Sequence, residues 1–225
     1  MTRMRWLVLV ALAVLNSGCL LFDTNSSLPR PRDEGLLPRN ESAKTCVVVA
    51  ENLASQGHTE QAIFQYLKAR EYDPKIEVSS ALARLYSQAN HDKLARDEFD
   101  KALKVQPKDP ELWNDFGYHE YKRGNWSQAE QAFVRATELN PRFEKAWNNL
   151  GLARGQQGKY PESLQAFEKV VRPAEARCNL AFVLMTQNKP QQARDLYEEA
   201  LRLDPGLQLA RIGLAKLNSP KSDVE

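Results

Sequence analysis

Histidine and cysteine are scarce, with three of each among 225 residues. The histidines, His58, His91 and His119, stand far apart. His119 sits in HEYKR with no second histidine four residues on, so the spacing of a helical metalloprotease site is missing. The run GLARGQQG from Gly151 follows no strand and makes no phosphate-cradling loop, and no nucleophile–base pair can be argued from spacing. Neither a catalytic site, a metal, a cofactor nor a small-molecule substrate is expected. A charge excess is also missing. The formal +2 comes from Arg3 and Arg5, and the chain beyond Cys19 balances 29 basic against 29 acidic residues, which leaves no basic footprint for nucleic acid. The 42% hydrophobic and 27% charged content is that of an ordinary globular chain.

What is present is a period. Trp113, Phe116-Gly117, Gly124, Ala129, Phe133, Ala136 and Pro141 recur 34 residues on as Trp147, Leu150-Gly151, Gly158, Ser163 and Phe167. A fixed period of this length marks a stacked repeat. Within each unit, large residues at i and i+3 suit one helix. A glycine able to take positive φ ends that helix. Small, large and small residues then line one face of a second helix, which Asn140-Pro141 stops. The stretch resembles the tetratricopeptide repeat family. The resemblance implies an all-α helix–turn–helix solenoid, a right-handed superhelix with a concave groove.

In this register the chain divides into repeats 43–75, 76–109, 110–143, 144–173 and 174–207, a capping helix 208–218 and a disordered tail 219–225. Repeat one carries Cys46 at the tryptophan position, where it reads as a small core residue. Repeats two and five place Asn90 and Asn188 at the turn glycine, because asparagine tolerates the left-handed region. His58 and His91 follow the turns, where exposure is expected. The fourth repeat is four residues short, and its second helix is expected to stop at 170–173. Cys46 and Cys178 fall in repeats one and five, too far apart across stacked helices for a disulfide, which needs Cα atoms within about 7 Å. Cys178 falls on a groove-facing position, open to a bridge with another molecule.

The first 18 residues pair two arginines with ten apolar residues, Trp6 to Leu15. Ten residues make only about 15 Å of helix, half a bilayer core, so the segment reads as a secretory signal. Ser17-Gly18-Cys19 resembles the bacterial lipobox, with Asn16 where that family usually has an aliphatic residue. The resemblance implies lipidation of Cys19. An ordinary secreted protein cleaved nearby and an uncleaved anchor are the alternatives. Residues 19–42, with Pro29, Pro31 and Pro38, read as a flexible tether. Leu20 follows the cysteine where inner-membrane lipoproteins often carry Asp, so the same resemblance implies the outer membrane, facing the periplasm.

In the tetratricopeptide family the first helix of each unit lines the groove. Carried onto this chain, repeat three contributes Asn114, Tyr118, Tyr121 and Lys122. Repeat four contributes Lys145, Asn148, Asn149 and Leu152, and repeat five Asn179, Phe182 and Met185 beside Cys178. Paired asparagines suit a peptide backbone and the apolar residues suit its side chains; alternatively, Asn149 and Asn179 simply tie helices together. The expected function is protein binding by a membrane-anchored scaffold, similar to the tetratricopeptide lipoproteins of pilus and secretion-channel assembly. An adaptor for a cell-wall or polysaccharide enzyme is the second reading, and an enzyme of unrecognised type the third.

Overall fold

A computed structural model describes residues 38–218; the expected signal, Cys19, the tether up to residue 37 and the 219–225 tail lie outside the described residues. The described chain is all α, eleven helices in hairpin order. They are α1 (Arg39–Ser55), α2 (Thr59–Tyr72), α3 (Ser79–Gln88), α4 (Asp92–Val105), α5 (Pro110–Lys122) and α6 (Trp126–Leu139). The remainder are α7 (Glu144–Gln156), α8 (Tyr160–Phe167), α9 (Pro173–Thr186), α10 (Pro190–Leu203) and α11 (Gln208–Asn218).

Each hairpin turns at one left-handed residue: Gly57, Asn90, Gly124, Gly158 and Asn188, with φ between 57° and 80°. The next amide reaches back to the last turn of the first helix, as in His58 N to Leu53 O at 2.9 Å and Asn125 N to Glu120 O at 3.0 Å. This satisfies carbonyls that the helix end would leave open. Second helices close differently. Asp73, Asn140 and Asp204 are extended, and each side chain accepts the amide two residues on at 3.0–3.1 Å, while the following proline forbids more helix.

The small–large–small code builds the core. Ala62, Tyr66 and Ala69 of α2 are buried, as are Ala95, Phe99 and Ala102 of α4 and Ala129, Phe133 and Ala136 of α6. A Cβ on Gly117 would come within 2.7 Å of the Phe133 ring, and one on Gly151 within 2.6 Å of Phe167. Glycine there is a packing requirement, because the two helices meet across the ring. Neighbouring units are tied by Trp113 Nε1 donating to Pro107 O and Trp147 Nε1 to Pro141 O, both at 2.9 Å. Arg211 occupies the same register in α11 and donates to Pro205 O at 2.7 Å.

The first helices pack on one another in succession, α3 on α5, α5 on α7, α7 on α9 and α9 on α11, whereas each second helix packs on its own and the following first helix. The first helices therefore form the inner row of the array.

Three expectations are corrected. The tether does not extend to residue 42: α1 begins at Arg39, where Pro38 supplies the first carbonyl to Ser42 N at 2.9 Å and Glu41 favours the helix N-terminus. The second helix of repeat four stops at Phe167 and has 8 residues where α6 has 14. Arg172, extended at ψ 153° before Pro173, leaves too little chain for further turns. Cys46 is half-buried instead of core.

Candidate binding face

The residues expected to line the groove separate into two layers. Asn114 and Asn149 lie underneath. Asn114 is 1% exposed, and Asn149 Nδ2 donates to its Oδ1 at 2.9 Å across α5 and α7. They tie helices and are not open to a ligand. Asn148 and Asn179 repeat the arrangement one unit on at the longer distance of 3.4 Å, both half-buried. Gln156 bridges Tyr121 OH at 3.4 Å and Thr186 Oγ1 at 3.0 Å, so half-buried Tyr121 also belongs to the lateral ties. Lys122 donates to Ser87 O at 3.3 Å.

The second layer faces outward. Tyr118 is 50% exposed and Phe182 61%, with Met185 exposed one turn beyond Phe182. Leu152 is half-buried against the C-terminal core, and Lys145 is exposed. Cys178, expected on the groove, is buried instead, and burial pushes its thiol up to about 11. A protonated, covered thiol is unsuited to a bridge with another molecule.

Two residues escaped the sequence reading. Leu209 and Ile212 on α11 stand in the register of Lys145 and Asn148 on α7, and they are 56% and 52% exposed. The signal was available. Leu214-Ala215 repeats Leu180-Ala181 34 residues on, and the same alignment carries Leu209 and Ile212 onto the inner row.

Farther back the inner row is polar. Arg84 Nε meets Asp115 Oδ2 at 2.6 Å. His119, in the last turn of α5, is 2% exposed, with Nδ1 3.0 Å from Ser87 Oγ and its ring 5.6 Å from that of Phe99. Desolvation by this burial holds its pKa below the ordinary value. The buried Nε2 meets no carboxylate or other partner among the described residues. A serine–histidine pair without an orienting third group lacks the catalytic arrangement, and its role here is to join α3 to α5. A cavity of about 240 Å³ beside it is lined by Asn90, Asp92, Lys122 and Arg123, with Arg123 paired to Asp92. Neighbouring Glu120 is wholly buried and held by Arg96 at 2.8 Å and Asn125 at 2.7 Å.

Residues 114–177 and 174–207 match models of the tetratricopeptide repeat. Over 196 residues the chain is 26% identical to the type IV pilus assembly protein PilF of Pseudomonas aeruginosa, covering 86% of this chain and 64% of that protein. It thus spans less than two thirds of that relative. The solved structure of Pseudomonas aeruginosa PilF superposes with a TM-score of 0.55 at 23% identity, over 79% of this chain and 99% of that one. YrrB, described as a tetratricopeptide protein with an unusual peptide-binding site, gives 0.57 at 25% identity, over 78% and 93%. A tetratricopeptide repeat protein from Parabacteroides merdae gives 0.63 at 16% identity, over 79% and 72%. The last, like the PilF structure, bears on the fold alone.

Proposed function

We propose, from the premise that this chain is an array of tetratricopeptide repeats similar to PilF, that it is a protein-binding scaffold of the bacterial envelope. Lipid on Cys19 holds it at the outer membrane, and the inner row of first helices receives a partner polypeptide during pilus or secretion-channel assembly. The observation that carries the reading is the exposure of Tyr118, Phe182 and Met185 on helices whose other large apolar residues are used in packing. Large exposed apolar side chains gathered on one face mark an interaction surface. The pilus connection rests on the named activity of PilF, and the anchor on the Ser17-Gly18-Cys19 sequence.

Two measurements test the reading. Cys19→Ser is expected to move the protein from the membrane fraction to the soluble fraction, because several acyl chains on one residue make a stable anchor; retention in the membrane would contradict the lipid anchor. Affinity capture from crosslinked envelopes is expected to recover a partner with the native chain and to lose it with Phe182→Ala combined with Met185→Ala. Equal recovery by both would place the partner on another surface.

A further inference from the structure

The inner row changes character along the array, and its C-terminal end combines apolar exposure with unpaired positive charge. Leu152 on α7, Phe182 and Met185 on α9, and Leu209 and Ile212 on α11 occupy inner positions of three successive, contacting helices. Two lysines flank them, Lys145 on α7 and Lys216 on α11. Both are exposed, and neither ammonium group has an ion-pair or hydrogen-bond partner among the described residues. On α9 the inner carboxylate, Glu175, is held by Arg172 at 2.7 Å, while Glu144 is exposed at the start of α7. The strip therefore presents apolar side chains edged by cations, with the acid of its central helix already paired.

We infer that the strip across α7, α9 and α11 binds a polypeptide segment that carries apolar side chains interspersed with carboxylates. This rests on the proposed use of the inner row and names the chemistry of its partner. Packed helices lie about 8–10 Å apart, so the strip is roughly 16–20 Å across. An extended segment of about six residues spans that at roughly 3.3 Å per residue. The apolar side chains supply affinity, and the carboxylates supply orientation and discrimination against basic segments. An anionic bilayer is the other surface that carries negative charge over apolar matter, but the strip lies on the inner row, where a flat sheet approaches less readily than a single chain.

The test uses full-length protein in detergent and three fluorescent peptides of about twelve residues, long enough to cross the strip: alternating Leu-Asp, alternating Leu-Lys and alternating Ser-Asp. The expected result is that Leu-Asp binds at least tenfold more tightly than either other peptide. Lys145→Glu combined with Lys216→Glu should then weaken it about tenfold, a loss of about 1.4 kcal/mol, and Phe182→Ala combined with Ile212→Ala should weaken it as much. If Leu-Lys binds as well as Leu-Asp and both depend on Phe182 and Ile212, the acidic preference is overturned while the inner-row reading stands. Binding of none of the peptides, or binding of phosphatidylglycerol vesicles through the two lysines in their place, overturns the inference outright.

Discussion

Helices α3 and α9 hold the same place in their repeats and present opposite surfaces. Both bury the same pair toward the core, Leu82-Ala83 in one and Leu180-Ala181 in the other. On the inner side α3 carries Ser80, Arg84 and Ser87. Arg84 is paired with Asp115, and Ser87 is engaged by His119 and Lys122. At the matching positions α9 carries buried Cys178 and exposed Phe182 and Met185. Stacking therefore constrains the small–large code and leaves the inner positions free to vary. One end of the array uses them to join repeats, and the other leaves Phe182 and Met185 exposed.

The comparison is broken most strongly in the core, where the two helices should behave alike. Leu82→Ala and Leu180→Ala are each expected to destabilise by about 2–5 kcal/mol in denaturant unfolding, since both side chains are buried. A silent Leu180→Ala would mean that α9 is not packed as described. A smaller effect separates the layers of the inner row. Asn114→Ala strips the buried Asn149 amide of its acceptor and should cost about 1–3 kcal/mol. Phe182→Ala, at an exposed position, should change stability by less than about 0.5 kcal/mol. Equal losses would place Phe182 in the core.

The smallest effect belongs to the polar end alone. His119 has its pKa lowered by burial from the ordinary 6.5, so the unfolded chain takes up the proton first as pH falls. Stability from this group is fully present above pH 6.5 and declines as pH drops toward the lower folded value. Glu120 and Asp92 oppose the shift, and Arg123 and Lys122 reinforce it. Unfolding measured between neutral and mildly acid pH should flatten in His119→Gln; an unchanged slope would assign the loss to other groups.

The register was legible because it rests on backbone demands that few residues meet. The spacing puts Asn90, Gly124, Gly158 and Asn188 at turns, and all four have positive φ, as does Gly57. The small–large code was legible for a similar reason, since Gly117 and Gly151 leave no room for a Cβ against their rings. The inner row was less so. Family register puts Asn114 and Cys178 on the groove, but whether such a side chain stays outside depends on how closely the next first helix approaches, which no single repeat encodes. The start of α1 was hidden by Pro38, which reads as tether and in fact supplies the first helical carbonyl. The early end of α8 follows from a deletion whose position is visible in sequence, while its cost of six helical residues relative to α6 is not.

The most direct test of the division along the inner row is site-specific photocrosslinking in intact cells, with a photoreactive residue at position 182 and, separately, at position 80. The account predicts a crosslinked partner polypeptide from position 182 and none from position 80. A partner captured from position 80 and not from 182 would contradict it and place the binding surface at the polar end of the array.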